Sequence, residues 1–477
     1  MGVYNNSNYM VSFMKVLITS TEFEGLIKTG GLGDAISGIC HSLAKLNDFE
    51  VDFIIPDYMN LDDSNFEKIT EISIKNDDEV SEFIDENSEM LKADVLYQKI
   101  DDINVYLIDN KYYFDRPKIY GYDDDLLRWT FFSRAIYELT IQENLNPDVI
   151  HTNDYHEGLV FNLFKNHDSD VKLAITVHNA YFRGYYEITS EVRELFEYYI
   201  NSDWQSDDIN LLRESVSDED RIITVSQDYA QEIQTSKQGY GLEDIYKGKG
   251  VSGFVNGLDL SVHNRETDNF KDYLSVKDKY KLKLQKRFNL KEDPEIPLIT
   301  YICRLGIQKG SDIVYNSLNN FIEDSQFILL GTGLEKFEEK FSSLNGSLDN
   351  YYAVIDFDSE LAREMYIASD IFLMPSCFEP CGIAQLIAQH YACLPIVSDV
   401  GGLKETVIDY TFEGANGFKI HDFSEKSLTE AILNALDIYY NQKEFWLELM
   451  ENAFNADNNW DNRIKKYVEL YKEMVYN

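Results

Sequence analysis

Short apolar runs alternate with segments of helical period along nearly the whole chain, and the series begins twice. In the first series, the runs near 15–20, 51–56, 103–109, 147–152, 171–178, 221–226 and 251–256 have the length of buried strands. Helices are predicted between them, for example over 125–143 and 156–165. Around 262–296 the pattern lapses into charged, helix-like sequence, which places a domain junction there. The second series predicts strands near 297–303, 326–330, 352–356, 371–375, 394–398 and 416–420. Its helices fall near 310–322, 334–342, 359–368, 382–391 and 402–409. Strands that alternate with helices make parallel sheets covered by helices, so the pattern predicts an α/β protein of two domains in series. Ligands of open α/β sheets bind outside the carboxyl ends of the strands, and two such domains predict a deep cleft there.

At 477 residues, with 44% hydrophobic and 14% aromatic content, each domain has enough chain to bury its own core. The formal net charge of −41 argues against nucleic acid and anionic membrane as partners. Much of it is local, and the acidic stretches 61–102 and 203–220 read as solvated insertions without chemistry. An anionic substrate would then need the few cations gathered in one place. No apolar run approaches the ~18–20 residues that span a bilayer. The N-terminal sequence lacks the charged region and apolar core of a signal peptide. Five scattered cysteines imply reduced thiols and a cytoplasmic location.

Lys28-Thr29-Gly30-Gly31-Leu32-Gly33-Asp34 puts a cation and three glycines at a strand-to-helix turn. Glycine lets backbone approach a ligand closely, and the helix that follows offers free amides to an anion. The spacing is neither GxGxxG nor GxxxxGK, so a dinucleotide fold or a P-loop is not indicated.

In the second series, Arg304 and Lys309 follow the first strand directly and are expected at its carboxyl end. A guanidinium and an ammonium placed together suit a diphosphate. Glu379 precedes Pro380-Cys381-Gly382 at another strand end, where Pro380 fits the first turn of a helix. Gly401-Gly402 forms a second glycine turn fit for phosphate approach. In the first series, Asp154 and His178 stand at strand ends, whereas His151 reads as structural. Two acid-x-acid triplets, Asp168-Ser169-Asp170 and Asp356-Phe357-Asp358, are expected by chance in a chain with 84 acids. No Cys/His cluster has zinc spacing and no GxSxG elbow occurs, so neither a metal nor a cofactor is assigned.

The motifs KTGGLGD (28–34), HTNDYHEGL (151–159), His178-Asn179, VNGLD (255–259), RLGIQKG (304–310) and FEPCG (378–382) occur in this order. Together they resemble the bacterial glycogen synthase and plant starch synthase family, retaining glycosyltransferases of family 5. Phe114–Pro117, Phe131–Ala135, Gly239–Glu243 and Leu330–Gly333 add to the resemblance, which spans about 14–474. It implies a GT-B fold, with two Rossmann-like domains facing across the cleft. The first, 1–262, would be the acceptor side and 263–457 the nucleotide-sugar domain, with 458–477 a helix packing back on the first.

The implied reaction moves glucose from ADP-glucose to the non-reducing end of an α-1,4-glucan, so donor and glucan acceptor are the implied partners. UDP-glucose as donor, or a weakly catalytic glucan-binding paralogue, are the alternative readings. By the resemblance Lys28, Gly30 and Gly31 contact the donor's diphosphate or sugar, and Arg304 and Lys309 neutralise the diphosphate. Glu379 holds the glucose hydroxyls, with Cys381 and Gly382 lining the same pocket. His178 binds the glucose, Asp154 lies near acceptor and donor glucose, Asn256 faces the sugar, and Tyr366 stacks on the adenine. The chain departs from the family pattern at Cys377, Val400, Arg183, His263-Asn264 and Ile387. No oligomeric state is implied.

Overall fold

The computed structural model describes residues 13–74, 88–166, 169–190, 192 and 208–476. The N-terminal residues 1–12, the acidic residues 75–87, the stretch 193–207 and Asp168 lie outside the described residues. The chain divides into two units. One runs up to Val225 and takes in Ala230–Phe254 and the residues from Arg463 on; the other comprises Ser226–Tyr229 and Val255–Asn462. The division at Phe254/Val255 thus precedes the charged segment in which the sequence pattern lapses, which forms the helix Phe270–Arg287.

The strands of the first unit are β1 (Met14–Thr19), β2 (Phe49–Pro56), β3 (Glu67–Ser73), β4 (Lys92–Ile100), β5 (Ile103–Asp109), β6 (Val149–Asn153), β7 (Lys172–Val177), β8 (Tyr185–Glu187), β9 (Asp208–Asn210), β10 (Arg221–Thr224) and β11 (Val251–Gly253). Nine of them form one sheet in the order β11-β10-β7-β6-β1-β2-β5-β4-β3, and β8 pairs with β9 separately. From β11 to β5 every pairing is parallel. Strands covered on both sides read as continuous apolar runs, and Val16, Leu17, Ile18, Val51, Phe53, Ile54 and Ile55 are fully buried. β1 pairs with β2 on one side and β6 on the other, so the strand order reverses at β1/β6.

The expectation of a solvated insertion over 61–102 is corrected by β3 and β4. These strands pair antiparallel with each other and add to the sheet through β5. Ile72, Ala93 and Val95 are buried, while Lys68 pairs with Asp94 (2.6 Å) and Lys92 with Glu71 (3.2 Å) on the outside. The acids therefore sit on the open side of a sheet edge, where charge blocks pairing with another chain. Their abundance hides a period of two that the segment does carry.

In the second unit β12 (Leu298–Ile302), β13 (Gln326–Leu330), β14 (Tyr351–Val354), β15 (Ile371–Met374), β16 (Leu394–Ser398) and β17 (Phe418–Ile420) form a parallel sheet. Its order is β14-β13-β12-β15-β16-β17, so the reversal lies between β12 and β15. Alternate residues fill opposite faces, as a strand's period of two requires. Ile299, Tyr301, Phe327 and Leu329 join the larger core, and Leu298, Ile328 and Leu330 the smaller one. No helix among the described residues is long and apolar enough to cross a membrane.

His151 has a structural role. Its Nδ1 lies 2.6 Å from the Tyr471 hydroxyl and its Nε2 2.7 Å from Thr176 Oγ1. Tyr467 and Tyr471, on the helix Trp460–Tyr476, are fully buried beside it. Tyr471→Phe strands a buried ring nitrogen and is expected to lower stability by about 1–3 kcal/mol. Urea unfolding checks this, and an unchanged midpoint would contradict it.

Candidate active site

The loops after β12 and β15 meet at the strand-order reversal of the second unit, where doubly wound sheets bind ligands. Residues 303–310 are clamped on both sides. The Cys303 amide donates to Leu330 O (3.2 Å) and the Leu305 amide to Thr332 O (2.8 Å). A Cβ on Gly331 would lie 2.0 Å from Cys303 O, and one on Gly333 2.1 Å from Leu305 O. Those glycines allow two backbones to touch. On the other side the Cys377 amide donates to Gln308 O (2.8 Å), and Gln308 Nε2 donates to Phe378 O (2.9 Å).

This clamping brings Lys309 to Glu379. The Lys309 ammonium donates to Glu379 Oε2 at 2.5 Å, with Glu379 buried and Lys309 half-buried. Burial opposes the charge on Lys309, but the neighbouring carboxylate outweighs it and raises the pKa. Arg304, on the same loop, is exposed and has no ion pair or hydrogen bond among the described residues. Lys309 and Glu379 neutralise each other, so Arg304 supplies the net positive charge of this loop.

Gly401 and Gly402 are required by a backbone contact. A Cβ on Gly401 (φ +44°) would lie 2.1 Å from Glu379 O, and one on Gly402 2.4 Å from Cys381 O. The Gly402 amide already donates to Pro380 O (3.0 Å). These glycines let the turn press on the backbone that carries Glu379, which removes the Gly402 amide from any phosphate. Gly382 (φ +77°) also needs glycine, and Cys381 is buried beneath it. Asn256 is buried, and the amide of Leu258, two residues on, donates to Asn458 O (2.6 Å).

Tyr366 is corrected outright. It is 7% exposed, belongs to the larger core and packs on Phe372 at 5.1 Å. A ring built into the core has no open face for a base. The aromatic that reaches solvent at this sheet edge is Phe357, 82% exposed just beyond β14. Asp358 beside it caps the helix Ser359–Ala368 by accepting from the Leu361 amide (2.8 Å). The sequence signal lies in Asp356-Phe357-Asp358, an aromatic set between two acids just beyond a strand.

In the first unit the reversal at β1/β6 gathers Lys28, Asp154 and His178. Lys28 is exposed but engaged, with ion pairs to Glu24 and to Asp34 (2.9 Å). The amides of Thr29 and Gly30 are taken by the buried Glu22. Gly30 caps the helix Gly31–Ala44 in an extended conformation, and a Cβ there would meet nothing within 4 Å. Asp154 (φ +62°) accepts from the amides of His178 (2.7 Å) and Asn179 (3.3 Å). His178 Nε2 lies 2.9 Å from Asn153 Oδ1. Burial pushes the His178 ring down to about 3, so it is neutral near pH 7. Burial also pushes Asp154 up to about 7, against the two amides that hold its charged form. No group of His, Cys, Asp and Glu among the described residues could hold a metal ion.

The comparisons agree with these motifs. A starch synthase catalytic domain model matches residues 15–248, and a model of group 1 glycosyl transferases matches 283–452. The glycogen synthase of Streptococcus mutans is 39% identical over 97% of this chain and 100% of its own length. The chain belongs to the glycogen synthase family. The catalytic domain of starch synthase IV from Arabidopsis thaliana, solved with ADP and acarbose, superposes with a TM-score of 0.85 at 26% identity. That match covers 98% of this chain and 100% of the starch synthase chain. A sucrose-phosphate synthase from Thermosynechococcus elongatus (TM-score 0.62, 16% identity, 96% and 98% covered) shares the fold. These neighbours give this glycogen synthase family member the GT-B fold.

Because Asp154 titrates near 7 when folded and near 3.9 when unfolded, the folded state binds more protons between those values. Its contribution to stability therefore falls as pH rises through that window. His151, His156 and His178, pushed down to about 3, act oppositely and lose stability as pH falls below about 6.5. Asp154→Asn tolerates the positive φ and keeps the acceptor, and it leaves the histidines untouched. It is expected to gain about 2 kcal/mol over wild type between pH 5 and pH 8. Urea midpoints at the two pH values check this, and a pH-independent difference would contradict it.

Proposed function

We propose that this protein transfers glucose from ADP-glucose to the non-reducing end of an α-1,4-glucan with retention of configuration. The observation that carries this reading is the Lys309–Glu379 pair, its carboxylate buried, beside Arg304, which has no partner among the described residues, at the strand-order reversal. Full-length similarity to glycogen synthases, and to a starch synthase solved with ADP and acarbose, supports it. Five unpaired cysteines agree with a reducing cytoplasm.

Cleaving the bond from glucose C1 to the phosphate oxygen leaves negative charge on the nucleoside diphosphate and an oxocarbenium-like sugar. Arg304, which carries the net charge of its loop, attracts the anion. The Lys309 ammonium is fixed where charge grows and stabilises the transition state more than the ground state. Glu379 orients that ammonium and accepts from the glucose hydroxyls. The His178 turn, held by Asp154, offers a neutral ring and a backbone carbonyl to the sugar. Asn256, Cys381 and Gly382 line the sugar's surroundings, and Lys28 contacts the donor. Phe357 takes the stacking role on the base. The acceptor 4-hydroxyl attacks C1 on the face the phosphate leaves, and its proton passes to the departing phosphate oxygen. No protein nucleophile is required.

Glucose incorporation into glycogen from ADP-glucose and from UDP-glucose tests the reading. Wild type is expected to use ADP-glucose, and no incorporation from either donor would contradict it. Lys309→Ala is expected to lower kcat/KM by about 10²–10³, as for one lost electrostatic donor. A change under about threefold would count against its role. Phe357→Ala is expected to raise the donor KM about fivefold, the scale of one aromatic stack, with kcat little changed. An unchanged KM would remove Phe357 from the base site.

A further inference from the structure

We propose that Glu22 is the positioning residue of the Lys28 loop, which it braces so that the loop meets the donor with its lysine and not with its first amides. The proposal rests on the reading of Lys28 as a donor contact. Glu22 lies three residues beyond β1 and is 3% exposed. Its Oε2 accepts from the amides of Thr29 (2.7 Å) and Gly30 (3.0 Å). Its Oε1 accepts from Thr29 Oγ1 (2.9 Å) and the Tyr120 hydroxyl (2.8 Å). One buried carboxylate thus satisfies four donors, two of them backbone amides of the glycine turn. Hydrogen bonds to a charged acceptor are the strong ones, and a buried carboxylate is stable only when so paired.

The brace is itself anchored. The Tyr120 hydroxyl also lies 2.7 Å from Thr21 Oγ1, and its ring stacks on His156 at 4.9 Å. Ahead of the lysine, the Phe23 amide donates to Ile27 O (2.8 Å) and the Ile27 amide to Phe23 O (3.0 Å). Beyond it, a Cβ on Gly33 would lie 2.8 Å from the Lys28 Cβ, so only glycine leaves the lysine its path. The Lys28 backbone is therefore fixed from behind, and Glu24 and Asp34 hold its ammonium at the tip.

Two consequences follow for the ligand. The Thr29 and Gly30 amides point at a fixed negative charge and are closed to a phosphate. Lys28, the one cation between Ser20 and Asp34, is then the cationic contact this loop offers the donor, its ammonium exchanging Glu24 and Asp34 for the ligand. Glu22 does not touch the donor; it sets where Lys28 stands.

The chemistry separates two substitutions. Glu22→Gln can keep a carbonyl oxygen toward the two amides and donate to Thr29 Oγ1 and Tyr120 Oη, whose hydroxyl hydrogens rotate. Glu22→Ala leaves all four donors without this acceptor. Hydrogen exchange at the Thr29 and Gly30 amides, read without substrate, is expected to be slow in wild type and Glu22→Gln. In Glu22→Ala it is expected to be at least about tenfold faster, the scale of one lost charge-assisted hydrogen bond. Should that variant fail to fold, Tyr120→Phe removes one donor to Oε1 and is expected to accelerate the same amides. Unchanged exchange in Glu22→Ala, or in Tyr120→Phe where it stands in for that variant, would overturn the brace whatever the enzyme does.

Donor kinetics then test the coupling. Glu22→Ala is expected to lower kcat/KM by about 30-fold, as for a misplaced contact, and Glu22→Gln by under about fivefold. In a Lys28→Ala background, Glu22→Ala is expected to cost under about threefold more. Independent, multiplying losses would overturn an action through Lys28, as would a Gln variant as damaged as the Ala one. If Lys28→Ala alone leaves the donor kinetics unchanged, the donor-contact reading fails while the exchange result still stands.

Discussion

The ion pair between Lys309 and Glu379 is the interaction around which the second unit is arranged. An ammonium and a carboxylate half or more out of water are costly unless they meet in good geometry. Meeting requires that the loops after β12 and β15, far apart in sequence, be held rigidly side by side. The hydrogen bonds from the Cys377 amide to Gln308 O and from the Gln308 side chain to Phe378 O do this directly. The glycines at 310, 331, 333, 401 and 402 do it indirectly, since a Cβ at each would collide with a neighbouring carbonyl oxygen. The charge is thus prepared before a donor arrives. A fixed cation stabilises charge developing in a transition state without the reorganisation that a mobile one would need.

The first unit solves the same problem with carboxylates. Glu22 fastens the Lys28 turn and Asp154 fastens the His178 turn, each through two backbone amides. Both acids lie at the β1/β6 reversal, so its polar groups are held by buried carboxyl groups. In the second unit the corresponding loops are held by backbone contact between glycines and carbonyls.

Much of this was legible in the sequence because burial on both faces of a parallel sheet leaves long apolar runs that few other structures share. β1, β12 and β15 could be placed from those runs, and with them the strand ends that carry Lys28, Arg304, Lys309 and Glu379. What was not legible depends on direction in space. Tyr366 and Phe357 lie on either side of one helix start, and only the fold turns one into the core and leaves the other in solvent. Gly401-Gly402 resembles a phosphate turn, yet its contacts lie with the backbone behind Glu379. β3 and β4 were hidden because acids on their outer face outweigh the alternation in any composition count. Glu22 left no signal, since a lone carboxylate declares its partners only when the chain has folded.

The account's central claim is that Lys309 and Glu379 act as one prepared unit in glucose transfer. A double-mutant cycle on kcat/KM for ADP-glucose, with Lys309→Ala, Glu379→Ala and the double variant, tests it most directly. If the pair works as a unit, the double variant loses little more than the worse single variant, as groups that act together are strongly non-additive. If the two losses multiply, the residues act separately, and the ion pair is a feature of the unliganded fold without a part in the reaction.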